Sequence, residues 1–178
     1  MMEALREEEI YTIDDIYALP DGKRAELIDG KIYFMATPSR THQRVLSSIF
    51  VKIANYIDSN EGNCEVDIAP FAVFLSDDDI NYVEPDILVV CDPSKLDDKG
   101  CHGAPDWIIE IVSPSSKSMD YFTKLFKYRN AGVREYWIVD TDKQMSMVYE
   151  FEKDKVEQYN FGEDVPSGIY EGLTIKVE

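Results

Sequence analysis

The apolar positions along the chain shift between a period of two and a period near 3.6, and each shift marks an element. In Arg24-Ala-Glu26-Leu-Ile-Asp29-Gly30-Lys-Ile-Tyr-Phe-Met35, two β-prone runs flank Asp-Gly, which predicts a hairpin with a two-residue turn. Val45, Leu46, Ile49, Phe50, Ile53 and Ile57 then recur at three- and four-residue intervals. They predict a helix from about His42 to Asn60, capped by the Thr37–Thr41 turn cluster and packed by one broad face on a sheet. Glu65 to Leu75 alternates imperfectly and predicts a strand, with Pro70 marking an edge or a bulge. Val83–Cys91 and Trp107–Val112 are apolar on both faces, as central strands covered by helices should be.

Between those strands, Asp92–Asp106 reads as a loop with little regular structure, long enough to form a rim or lid. The helical period returns over Ser116–Ala131, with Met119, Phe122, Leu125 and Phe126 on one face and Gly132 as the stop. Asp120, Lys124 and Tyr128 follow at intervals of four and form a polar stripe beside that face. Val133–Asp140 predicts another core strand, and Met145–Phe151 with Lys155–Phe161 a hairpin. Leu173–Val177 is expected to close the sheet edge. Ahead of all this, Thr12-Ile-Asp-Asp15 has the spacing of a capping box and predicts a short lead-in helix from Ile13 to Leu19, after a charged and frayed start over residues 1–10. The order of elements predicts a single domain over residues 1–178, an α/β sandwich with a mixed sheet.

Composition narrows the function classes. An apolar fraction of 44% is ordinary for a globular chain, and no apolar run is long enough to cross a bilayer. The acidic N-terminus lacks the layout of a signal peptide, so a soluble, cytoplasmic protein with no membrane partner is expected. Three cysteines, Cys64, Cys91 and Cys101, cannot all pair within one chain and lack the paired spacing of a zinc site. They read as reduced thiols. A net charge of -17 argues against broad, non-specific affinity for nucleic acid.

Three carboxylates interrupt otherwise apolar segments. Asp86 follows Pro85 at the start of a central strand, and Glu110 shares its strand face with Ile108 and Val112. Glu26 shares a face with Ile28 on the first hairpin strand, where an edge position in water is the simpler reading of that residue alone. A carboxylate among Ile and Val is expensive to bury unless a cation sits against it. The cation is either a divalent metal, for which oxygen ligands suit magnesium or manganese, or a lysine. In the second case Glu110 pairs with Lys124 as a buried salt bridge and Asp86 caps or turns the chain.

Pro85-Asp86 followed by Glu110-Ile-Val resembles the PD-(D/E)XK motif of restriction-endonuclease-like nucleases. From about Tyr11 to Asp140 the chain resembles the Uma-type restriction endonuclease family, through Glu-Leu-Ile-Asp-Gly, the His42-Gln43 helix, Pro-Asp-Ile-Leu-Val-Val, Trp-Ile-Ile-Glu-Ile-Val-Ser-Pro-Ser and Gly-Val-Arg-Glu-Tyr-Trp-Ile-Val-Asp. The resemblance implies a restriction-endonuclease-like αβββαβ core, a mixed central sheet flanked by helices, with the C-terminal strands of residues 145–178 added to it. It further implies a magnesium- or manganese-dependent endonuclease acting on nucleic acid, DNA first. Glu26, Asp86 and Glu110 match the acidic positions and would hold the metal. The lysine two residues after the last acid is Val112 here, so its role passes to Lys124 on the following helix, with Lys117 as the alternative. The competing class is a catalytically silent binding or self-association module on the same scaffold. A homodimer is expected if two strands are cut, with Tyr136, Tyr149, Phe151, Tyr159 and Phe161 either packing that interface or completing the core.

Overall fold

The computed structural model describes residues 9–60, 62–114 and 116–178; the expected frayed start lies largely outside the described residues. Among the described residues the α-helices are α1 (Ile13–Tyr17), α2 (Arg40–Ser59) and α3 (Leu125–Ala131), the last continuing a π-helical stretch over Met119–Lys124. The strands are β1 (Ala25–Ile28), β2 (Lys31–Phe34), β3 (Glu65–Ile68), β4 (Ala72–Phe74), β5 (Ile87–Val90), β6 (Leu96–Asp97), β7 (Gly100–His102), β8 (Trp107–Val112), β9 (Glu135–Asp140), β10 (Met145–Glu150), β11 (Lys155–Asn160), β12 (Asp164–Pro166) and β13 (Thr174–Lys176).

The central sheet has six strands in the order β11-β10-β9-β8-β5-β3. All neighbours are antiparallel except β8 and β9, which run parallel because the chain returns through α3 between them. Strand parity sends Trp107, Ile109 and Ile111 of β8 to one face, where they meet Val45, Leu46, Ile49 and Ile53 of α2 and Ile175 of β13. Ile108 and Val112 go to the other face, against Tyr128 of α3, Val73 and Cys101. Edge-to-face contact of Trp107 and Trp137, with ring centroids 5.0 Å apart, fills the first layer. The mixed, helix-flanked α/β sheet is therefore as the pattern predicts.

The β1–β2 hairpin stands beside this sheet. Asp29 and Gly30 both take positive φ, 49° and 72°, as a primed two-residue turn requires. A Cβ on Gly30 would also lie 2.5 Å from Ile10 Cγ2, so two constraints demand glycine. The hairpin is fixed to the body by reciprocal backbone bonds between Leu27 and Tyr82, 2.7 and 2.8 Å long.

Several expectations are corrected. Asp92–Asp106 is not structureless: a 3₁₀ turn at Pro93–Lys95 and strands β6 and β7 build a small sheet with β4, because Cys101 is buried in the second core layer. The Glu65–Leu75 run is two strands, separated around a cis Ala69–Pro70 bond, with β3 at the edge of the central sheet. Thr174–Lys176 pairs with β12 in a separate two-stranded sheet and does not close the main one. Cys64 and Cys91 are joined in a disulfide rather than reduced, and only Cys101 is a free thiol. They flank Glu65 and Val90, which face each other across β3 and β5, so antiparallel register brings them together. Tyr136 is fully buried, and Tyr149, Phe151, Tyr159 and Phe161 pack on the two core layers.

One further buried acid lies on β9, three residues from Ile138, the partner of Glu110 across the sheet. Glu135 is buried on β9 opposite Glu150 of β10, and accepts from Trp137 Nε1 at 2.5 Å. Burial pushes its carboxyl up from 4.5 to about 7. A raised carboxyl pKa stabilises the fold below the unfolded value, and that contribution is lost as pH rises through the folded one. Stability should thus fall by about 3 kcal/mol between pH 4.5 and pH 8 from this group alone. Urea unfolding across that range checks it: Glu135→Gln should flatten the decline, and an unchanged pH profile would refute the assignment.

Candidate active site

Glu110 lies in the middle of β8 on the face that α3 covers, so its carboxylate points into a layer of Ile, Val and Tyr. What meets it there is Lys124, the last residue of the π-helical stretch. The Lys124 ammonium is 2.9 Å from Glu110 Oε1 and 2.8 and 2.9 Å from the two Glu26 oxygens. Tyr128, one turn further along α3, donates its hydroxyl to the same Glu110 oxygen at 2.8 Å. Glu26 reaches the cluster from β1 and also accepts from the Glu84 backbone N–H at 3.0 Å. It is 5% exposed, which settles its position: it is in the interior and not at a wet edge.

Asp86 sits immediately before β5. Its Oδ2 accepts from Ile111 N at 2.8 Å and lies 3.1 Å from His42 Nε2, while its own N–H points to Glu110 Oε2 at 3.4 Å. The structure therefore brings together all four residues singled out in the sequence: Glu26, Asp86, Glu110 and Lys124. Lys117 is excluded from the cluster and pairs with Asp142 at 3.1 Å and Asp140 at 3.6 Å. Val112 is buried in the apolar layer.

Two further members were placed on their helices in the sequence but not assigned to the site. Asp120 is buried; its Oδ1 lies 3.6 Å from the Lys124 ammonium and is the one of its two oxygens left without a hydrogen-bond partner. Its stripe with Lys124 and Tyr128 faces inward, and Phe122 and Phe126 of the expected apolar face are 72% and 67% exposed. The charged stripe turns inward because it has buried partners on β1 and β8, while Met119 and Leu125 of the expected apolar face still pack on the second core layer. The other is His42, in the first turn of α2, whose backbone N–H is capped by Ser39 Oγ at 3.1 Å. The signal for His42 was its place at a helix start, and for Asp120 its four-residue spacing from Lys124.

The charges in the cluster do not balance. Glu26, Asp86, Glu110 and Asp120 surround one ammonium and one imidazole. Burial, together with Asp120, Asp86 and Glu26, raises the Glu110 carboxyl well above its ordinary value despite Lys124. Asp120 is raised for the same reasons. Burial alone would lower Lys124, but Glu110, Glu26 and Asp120 outweigh it and hold the amine protonated. For His42, too, burial is opposed by the bond to Asp86, and the net shift is upward. Tyr128, buried and beside Glu110, stays a neutral phenol donor.

Glu26, His42, Asp86, Glu110, Asp120 and Lys124 line the floor of a groove of about 950 Å³. Its walls are the β1–β2 hairpin, the start of α2 and the segment after β8; no residue of the Asp92–Asp106 segment lines it, which removes that segment as a lid. Among the described residues no three carboxylate, imidazole or thiol groups stand as a ready-made metal cage. The lysine ammonium is between Glu26 and Glu110 instead. The donor set nevertheless fits a hard divalent cation. It is all oxygen, it carries an excess of negative charge, and Asp86 and Glu110 are neighbours on the groove side. Magnesium is commonly held by one or two carboxylates with waters and substrate phosphates.

Comparison with known proteins agrees with this architecture. A crystal structure titled as a putative nuclease belonging to DUF820, from Anabaena variabilis, superposes with a TM-score of 0.71, covering 89% of each chain at 23% identity, which shows the shared fold. An uncharacterized Synechocystis protein, slr1290, is 27% identical over 120 residues, 67% of this chain and 62% of that one, so the match spans less than two thirds of the relative. Residues 12–178 match the model of the Uma2 family, whose description reads "Putative restriction endonuclease". A nuclease-like α/β chain with its acids and lysine converging in one groove, matched over nearly its whole length, belongs to the Uma2 family.

Proposed function

We propose that the protein is a divalent-metal-dependent endonuclease that hydrolyses nucleic-acid phosphodiester bonds, DNA first, using magnesium or manganese. The observation that carries this reading is the convergence of Glu26, Asp86, Glu110 and Lys124 on the floor of an open groove. Asp86 and Glu110 would supply carboxylate oxygens to the ion. Glu26 has both oxygens on Lys124 and contributes by fixing that ammonium. A divalent ion bound there supplies Lewis-acid polarisation and a more acidic water. Ile111 N–H and His42 hold the Asp86 carboxylate in one orientation. Lys124 places a fixed positive charge beside the reacting phosphate, where negative charge develops.

The alternative, a silent binding or self-association module, is favoured by one observation: Lys124 already neutralises part of the acid cluster without any ion. Titration with metal separates the two. A ligand that binds only the folded state raises the melting temperature, and at a hundredfold excess over Kd the gain is about 2.7 kcal/mol, or about 5–10 °C for a chain of this size. Magnesium or manganese should give such a shift, and Asp86→Asn with Glu110→Gln should abolish it along with cleavage. A full shift in the double variant would place the ion elsewhere.

Lys124→Met tests the lysine. Removing the ammonium leaves buried carboxylates uncompensated, so the metal-free protein should lose about 3–5 kcal/mol, as when one partner of a buried ion pair is deleted. The thermal shift given by manganese should grow, because the ion no longer competes with a fixed cation, while cleavage falls. Wild-type stability in this variant would refute the charge balance described above.

A further inference from the structure

Asp120 has no role in the chemistry above, and its contacts do not account for it. The Lys124 ammonium has three N–H donors. Three oxygens stand within hydrogen-bonding distance of it, Glu26 Oε1 and Oε2 at 2.9 and 2.8 Å and Glu110 Oε1 at 2.9 Å. Asp120 Oδ1 is left at 3.6 Å, too far for a charge-assisted hydrogen bond. Its side chain is 3% exposed, and among the described residues no donor reaches that oxygen. A buried carboxylate oxygen without a donor is costly. The residue is also held in place: its backbone N–H donates to Ser116 O at 3.0 Å, and its carbonyl accepts from the Tyr136 hydroxyl at 3.1 Å.

Glu110 faces two ways. Its Oε1 accepts from Lys124 and Tyr128, while its Oε2 is turned toward Asp86, 3.4 Å from that residue's N–H. A divalent ion shared by Asp86 and Glu110 would repel the ammonium and compete with it for the Glu110 charge. The lysine stem is flexible, and a shift of less than about 1 Å would bring its ammonium within charge-assisted hydrogen-bond distance of Asp120 Oδ1. Glu26, bonded through both oxygens, is the pivot for that movement.

We propose that Asp120 is a positioning residue, a second seat that takes the Lys124 ammonium when Asp86 and Glu110 hold a divalent ion. It rests on the metal-dependent nuclease reading, and adds how lysine and ion share one acid cluster. Glu110 serves the ammonium in the metal-free protein, and Asp120 serves it in the loaded one.

Manganese affinity, read from the free ion by electron paramagnetic resonance, tests the seat in a double-mutant cycle. Asp120→Asn should weaken manganese by about ten- to a hundredfold, the range for a group that orients a ligand shell. Its metal-free melting temperature should hold or rise, because a buried charge with no donor is removed. In the Lys124→Met background the same substitution should change affinity by less than about threefold, since Asp120 acts only through the lysine. An equal loss in both backgrounds makes Asp120 a ligand of the ion and overturns the seat, as does undiminished affinity in Asp120→Asn. A large fall in its metal-free melting temperature assigns Asp120 to the resting ion pair and overturns the seat as well. A crystal structure with manganese bound is independent of how well the Lys124→Met proteins fold. It should place the ammonium about 2.8 Å from Asp120 Oδ1, and an ammonium still on Glu110 overturns the inference while leaving the nuclease standing. Wild-type protein that binds no manganese overturns both.

Discussion

The buried ammonium of Lys124 is the contact on which the rest of the molecule turns. Its carboxylate partners are 98 and 14 residues away in the chain and lie on different units, Glu26 on the hairpin and Glu110 on the central sheet. The hairpin contributes only Ala25, Leu27 and Ile32 to a small third cluster with α1 and Ile28 to the second layer. The ion pair therefore ties that small unit to the sheet at the point where the groove opens. A lysine this deeply buried is tolerable only while its acids are ionised and close. The acids in turn exceed the charge it can neutralise. This imbalance is what the proposed binding of a second cation rests on.

How the chain delivers that lysine explains why the polar stripe of its helix faces inward and two of its phenylalanines face solvent. The π-helical stretch over Met119–Lys124 inserts extra residue spacing before α3, and such insertions are found disproportionately at functional sites. Asp120, Lys124 and Tyr128 consequently line up on the inner face. Tyr128 closes the row by donating to Glu110 and stacking edge-on against Tyr136, with centroids 5.0 Å apart. Phe122 and Phe126 are displaced to the surface as the counterpart of this arrangement.

Much of this was readable from the chain because local rules governed it. Asp29-Gly30 specifies its turn by backbone chemistry alone, and the apolar runs of β5, β8 and β9 can only be central strands. Glu110 was legible because its strand neighbours made it anomalous. Glu26 was less so, since burial of β1 comes from Tyr82 and Ala72, both far away in sequence. Asp120 and the outward phenylalanines escaped detection for the same kind of reason: a helical wheel assigns faces by apolarity, and here tertiary charge pairing overrode it. The Cys64–Cys91 bond was invisible because counting cysteines says nothing of register, and β3 meets β5 only after an excursion through β4.

The position of the lysine also bears on how the site forms. Val112 occupies the strand position two residues after Glu110, packed in the layer of Tyr128, Val133 and Ile138. On the helix, Lys124 is approached by acids from three directions. A strand-borne lysine would be next to its glutamate as soon as the strand was extended. Placing it on the helix makes the charge balance depend on docking of the helical segment against β8 and of the hairpin against both, so the electrostatic centre exists only in the fully packed molecule. Any change that loosens the hairpin should therefore disturb the acids even when it touches none of them.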